Sequence, residues 1–251
     1  MMTSSEEIIV GYDYDAWHGY GKKISVSIST SPKINRHTLI CGMSGSGKSY
    51  LLNQYIARTY TCFKGEAVIY FADYKGEDSF EYLRKCSRYF AYEKTIEALD
   101  IVYEILQKRQ SKEDKSRYNV TLVWDEYVAN ILALYDIEKK KAEVVMRKVA
   151  TILQMGRSLN VTLYIACQRP DASQFKAGAR INFGVVLIMG ATLESIYSML
   201  MPKELIEKVG EREFHIGEGV MLWQGAELKF IKIPMIRDEE KMKEICMEAL
   251  T

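Results

Sequence analysis

The residues best placed to do chemistry are the run Gly42, Met43, Ser44, Gly45, Ser46, Gly47, Lys48 and Ser49, which fits the pattern GxxxxGK[ST] in full. Each position has a physical reason. The glycines allow backbone angles and close approaches that a side chain would block. The loop amides then turn inward as a nest around phosphate oxygens, and the positive end of the following helix faces the same anion. Lys48 reaches the terminal phosphates and Ser49 offers its hydroxyl to Mg²⁺. Tyr50, the next residue, joins this nucleotide-contacting set. A chance match in a chain of ordinary composition has odds of roughly one in a hundred, and this match also lies after an apolar strand and before a helix. The expected ligands are ATP and Mg²⁺.

A second segment, Val120-Thr-Leu-Val-Trp-Asp125-Glu126, is an apolar strand ending in two carboxylates. Beside a phosphate loop, Asp125 suits Mg²⁺ and Glu126 suits a general base for the attacking water. Such a pair points to hydrolysis rather than phosphoryl transfer to a small molecule. The plainer reading of Glu126 is a solvated strand-end residue. Gln168 follows the strand 161–167, so its amide is expected near the γ-phosphate, as a sensor or a holder of water; a bond to a neighbouring loop is the alternative. Arg157 closes the long helix 138–159. It reads either as an arginine finger inserted into a neighbouring subunit's site or as a cation serving its own helix end.

The elements that must position these residues follow from periodicity. Residues 6–12 and 23–30 read as strands separated by a glycine-rich turn, DAWHGYG. Strands are expected at 37–41, 67–73, 120–124, 161–167 and 184–189. Helices are expected at 49–60, 95–110 and 138–159. A hairpin over 221–223 and 228–233 turns at Gly225, and 238–250 closes the chain as a helix. Alternating strands and helices imply an α/β fold: a mostly parallel central sheet, helices on both faces, right-handed crossovers, and ligands beyond the carboxyl ends of the strands. The expected organisation is one domain, with 1–35 an N-terminal β extension of the main body at 36–251.

Composition sets the outer limits. The chain has 251 residues, 48% hydrophobic and 27% charged, with a net charge of +1. That suits a soluble globular protein and argues against global disorder. The longest apolar stretch, around 183–191, is about half a membrane span, and MMTSSEEIIV is unsuited to a signal peptide. The five cysteines have no CxxC spacing, which fits reduced thiols in a cytoplasmic protein.

With these motifs in hand, the chain resembles motor domains of the FtsK/SpoIIIE type over residues 36 to 235. RHTLICGMSGSGKSYLL resembles that family's phosphate loop, YFADYKGEDSFEYL its segment after the second strand, and VTLVWDEY its acidic strand. MGRSLNVTLYIACQRPDAS is the most diagnostic match, and GEGVMLWQGAELKFIKIP is similar to its C-terminal hairpin. The resemblance implies a RecA-like P-loop fold with a C-terminal β-hairpin. It also implies ATP hydrolysis in a ring, usually hexameric, with DNA in the pore. Carried over by position, Lys48 and Ser49 bind phosphate and Mg²⁺, Asp125 and Glu126 are the Mg²⁺ and catalytic acids, and Gln168 is the sensor. Where the family often has Asp-Ser-Arg, this chain has Leu193-Glu194-Ser195-Ile196, so an arginine role there is missing or moved. The family's membrane anchor and DNA-reading winged helix have no counterpart in the sequence. The expectation is a bare motor, as in conjugative, plasmid or phage DNA transfer, recruited by a separate membrane-anchored or relaxase-type partner without inserting into the membrane.

Sequence-independent DNA binding works through Lys and Arg contacts to phosphates. Candidates are Lys176 and Arg180 in 171–182, and Lys140 in the basic stretch 136–148; a solvated helix face is the alternative for the lysine run. ATPases of protein secretion share the same resemblance, so protein cargo stands as the alternative, with a nucleotide-gated regulatory DNA-binding protein as a third.

Overall fold

The computed structural model describes residues 7–251. Its centre is a ten-stranded sheet. The elements in chain order are β1 (Glu7–Asp13), α1 (Tyr14–Tyr20), β2 (Ser25–Ser29), β3 (Thr38–Gly42), α2 (Lys48–Cys62), β4 (Val68–Asp73), β5 (Tyr89–Ala91), α3 (Thr95–Gln110), β6 (Val120–Asp125) and α4 (Tyr127–Ile137). They continue as α5 (Lys139–Leu159), β7 (Val161–Cys167), β8 (Val185–Met189), α6 (Glu194–Leu200), α7 (Lys203–Val209), β9 (Glu218–Trp223), β10 (Glu227–Lys232) and α8 (Glu239–Leu250).

The sheet order is β2-β1-β10-β9-β8-β3-β7-β6-β4-β5. From β8 to β5 every pairing is parallel. From β8 outward to β2 every pairing is antiparallel. The parallel part follows from composition: β3, β6, β7 and β8 are buried at every position, as continuous Val/Ile/Leu-rich runs require when helices cover both faces. One face packs under α3, α4 and α5 through Leu99, Val102, Ile131, Val149 and Ile152. The other packs under α2 and α8 through Leu51, Leu52, Ile56, Met242 and Leu250.

The N-terminal strands extend this same sheet, because β1 pairs with β10 at Tyr12↔Lys232. The expected start of β1 at residue 6 lies outside the described residues. The glycine-rich turn expected between the first two strands is instead the helix α1. Asp13 caps it by accepting from the Ala16 amide at 2.7 Å, and Gly21 ends it with φ of 61°. An Asp before and a glycine after are helix start and stop signals; the glycines inside the segment obscured them.

Candidate active site

β3 and β6 are both neighbours of β7, with Cys41 opposite Cys167 and Trp124 opposite Ile165. Strand spacing puts their carboxyl ends within about 10 Å of one another. The phosphate loop, the Asp125–Glu126 pair and Gln168 therefore leave the sheet side by side. The structure brings together Ser44, Gly45, Gly47, Lys48, Ser49, Tyr50, Glu126 and Gln168 around one cavity of about 360 Å³.

The loop is shaped for an anion. Gly47 stands at φ of 96° and starts α2, a backbone angle that a side chain would strain. Lys48 is folded over the loop and donates from Nζ to the carbonyls of Gly42 at 2.8 Å and Met43 at 3.2 Å. The buried Ser46 hydroxyl has no hydrogen-bond partner.

Asp125 ends β6 with both carboxylate oxygens buried and without hydrogen-bond partners. Burial pushes its pKa up to about 8, and the charges of Glu77, Glu126 and Asp73 push it the same way. A buried carboxylate with unpartnered oxygens, ringed by further acids, suits a divalent cation. Among the described residues no three His, Cys, Asp or Glu side chains converge as a metal cage. The donor set fits Mg²⁺, which takes one or two protein oxygens plus substrate phosphates and water.

Glu126 has φ of 54°, a left-handed angle that costs a non-glycine residue about 1–2 kcal/mol. That bend leads directly into α4 and leaves the residue buried at the cavity wall. Gln168 Nε2 donates to Glu126 Oε1 at 3.3 Å, and Lys75 Nζ lies 3.3 Å from Oε2. Gln168 thus faces the acid from β7, while Lys75 faces it from the turn after β4, the strand on the other side of β6.

Lys75 and Glu77 are the residues that sequence reasoning missed. Both lie in the YKGED segment, which carried the resemblance without any assigned role. Asp73 builds their turn: buried at the end of β4, it accepts from the Gly76 and Glu77 amides at 2.8 and 3.0 Å and from the Tyr89 hydroxyl at 2.6 Å. Glu77 accepts a hydrogen bond from Ser49 Oγ at 2.9 Å. The available signal was a charged turn directly after an apolar strand.

The remaining candidates lie elsewhere. Arg157 is exposed near the end of α5, beside His37 at the start of β3, so it sits at the amino ends of the strands. It does not reach the loop of its own chain. Lys140 is exposed in the first turn of α5. Lys176 pairs with Glu143 at 3.7 Å, and Arg180 donates to the Pro170 carbonyl at 2.7 Å. Met43 lies on the loop's outer surface, 46% exposed.

Topology and loop together define the RecA-like P-loop fold. No protein-family model and no curated protein matches the chain. Solved structures do. With 98% of its length, the chain matches 71% of the pCW3 conjugation coupling protein TcpA in a form with ATPγS, at a TM-score of 0.70 and 18% identity. It matches ATPases 2 and 3 of EssC from Geobacillus thermodenitrificans at a TM-score of 0.70 and 14% identity, covering 99% of this chain and 49% of that one. It matches the cytoplasmic domain of the Thermomonospora curvata type VII secretion ATPase EccC at a TM-score of 0.65 and 19% identity, covering 100% of this chain and 32% of that one. The chain therefore spans about a third of the EccC domain and about half of the EssC structure. At 14–19% identity these likenesses show the fold, and at that level the resemblance read from the sequence holds. Among the described residues no helix is long and apolar enough to cross a membrane.

Proposed function

We propose that the chain is an ATP-hydrolysing motor that self-associates into a ring, with hexamer as the expected size, and moves DNA through it. The observation that carries the hydrolytic part is the cleft in which the phosphate loop, Glu126 and Gln168 meet, with Asp125 buried at the adjoining end of β6. Loop amides and Lys48 hold the β- and γ-phosphates. Ser49 and Asp125 would hold Mg²⁺, which would supply neutralisation of phosphate charge. Glu126 takes a proton from water as the water oxygen bonds to the γ-phosphorus. The bond from that phosphorus to the bridging oxygen breaks, leaving ADP and inorganic phosphate. Gln168 orients the water or senses the phosphate.

The DNA part rests on the likeness to a conjugation coupling protein and on Lys140, Lys176 and Arg180. The small net charge of +1 makes a single chain a weak polyanion binder, and a ring would multiply local positive charge. We place the motor in the cytoplasm, recruited by a membrane-anchored or relaxase-type partner. A second reading, protein cargo, is favoured by the matches to EccC and EssC over nearly the whole of this chain.

The test is phosphate release with and without duplex and single-stranded DNA, alongside a mass measurement with a non-hydrolysable ATP analogue. DNA-stimulated turnover in an assembled species supports the proposal. Turnover indifferent to DNA but raised by an export-signal peptide replaces DNA with protein cargo.

A further inference from the structure

Lys75 belongs to a turn with very little freedom. Gly76 stands at φ of 66°, an angle that a side chain would strain, and the Tyr92 hydroxyl would lie 2.3 Å from a Cβ there. Asp73 fastens the same turn through two backbone amides and the Tyr89 hydroxyl. The turn faces the phosphate cavity, and the charged side chains on either side of Gly76 line it: Glu77 meets Ser49, and Lys75 meets Glu126. The turn thus grips both a residue suited to the metal and the residue suited to general base.

The Lys75 contact is of a kind that exchanges. At 3.3 Å it is long for a charge-assisted bond. The Lys75 side chain is 41% exposed, against 5% for that of Glu126, and both line the cavity, so the lysine has the room to move that the acid lacks. A lysine carries three rotatable donors on a flexible stem. A γ-phosphate in the same cavity presents more negative charge than one carboxylate, and ADP presents none at that position.

We propose that Lys75 is a ligand of the γ-phosphate, held by Glu126 until ATP arrives. ATP draws Lys75 across the cavity and frees Glu126 Oε2 to accept the proton of the attacking water, while Gln168 stays on Oε1. This rests on the reading of the cleft as an ATP site. It adds that the triphosphate, and not the diphosphate, breaks the contact that occupies the base.

The experiment measures ATP and ADP affinity of the full chain with Mg²⁺ for the parental protein, K75M, K75R, E126Q and the double variant K75M/E126Q. In K75M the preference for ATP over ADP falls about tenfold, the range expected for one charge-assisted contact, while ADP affinity holds and serves as the folding control. K75R retains part of the preference. E126Q removes the competitor and raises the preference severalfold, and that rise vanishes in the double variant. K75M with an unchanged ratio overturns the proposal, as does K75M weakening both nucleotides equally. An E126Q gain that persists without Lys75 overturns the exchange. Failure of the parental chain to bind either nucleotide instead overturns the ATP-site reading.

Discussion

The hydroxyl of Ser49 donates to Glu77 Oε2 at 2.9 Å, tying the first turn of α2 to the turn after β4. If Ser49 holds Mg²⁺, Glu77 is the outer partner that orients it. Losing such partners commonly costs about 10–100-fold in metal affinity or activity. Glu77→Ala is expected to raise the Mg²⁺ concentration for half-maximal ATP hydrolysis within that range. ATP affinity without metal should change little. A Mg²⁺ titration of turnover checks this, and an unmoved midpoint removes Glu77 from the metal's surroundings.

Lys48 and Glu126 divide binding from chemistry. Lys48 sits over the loop, so Lys48→Ala is expected to weaken nucleotide binding. Glu126 reaches the cavity from the far wall, so Glu126→Gln is expected to retain ATP while losing turnover by about 10²–10⁴-fold. Equilibrium binding with single-turnover hydrolysis separates the two. Hydrolysis by Glu126→Gln at the parental rate would show that another group activates water.

Buried strands were legible because full burial writes itself as unbroken apolar runs: the limits of β7 match expectation, and β6 extends one residue further, to Asp125. The phosphate loop was legible because its chemistry is local. Three kinds of feature were not. The three-residue β5 is too short for any period to register. The helix α4 has apolar residues nearly all round and no polar cap before it, its N-cap being the left-handed Glu126. Lys75 and Glu77 matter only because β4 lies next to β6, and pairing between distant strands leaves no mark in a local pattern.

His37 sets an expected pH dependence of stability. Its ring is buried between β3, β7 and α5, where Nδ1 accepts from the Leu163 amide at 3.0 Å and Nε2 has no partner. Burial, with Arg36 and Arg157 nearby, lowers its pKa from 6.5 to about 3. The unfolded chain then binds more protons than the folded one between those values, so stability falls as pH drops through that window. The slope from one such group reaches about 1.4 kcal/mol per pH unit. His37→Gln, which keeps an acceptor for Leu163, is expected to be less stable at neutral pH and to show a shallower loss between pH 6 and 4 in denaturant titrations. Parallel curves for the two proteins would assign the acid sensitivity to the carboxylates alone.

Arg157 offers a test that only an assembly can pass. It stands at the amino ends of the strands, away from its own phosphate loop, and next to Gly156, which packs on the His37 ring. A catalytic role therefore requires delivery to a neighbouring chain, whereas a helix-end role requires none. Arg157→Ala and Lys48→Ala each remove one half of a shared site if the first role holds. Mixing the two inactive variants rebuilds sites that pair an intact loop from one chain with an intact arginine from the other. The expected outcome is little hydrolysis from either variant alone and partial recovery in the mixture, highest near equal proportions. Parental turnover by Arg157→Ala alone would leave the residue as a cation serving the end of α5, and the ring's transition-state charge would need another source.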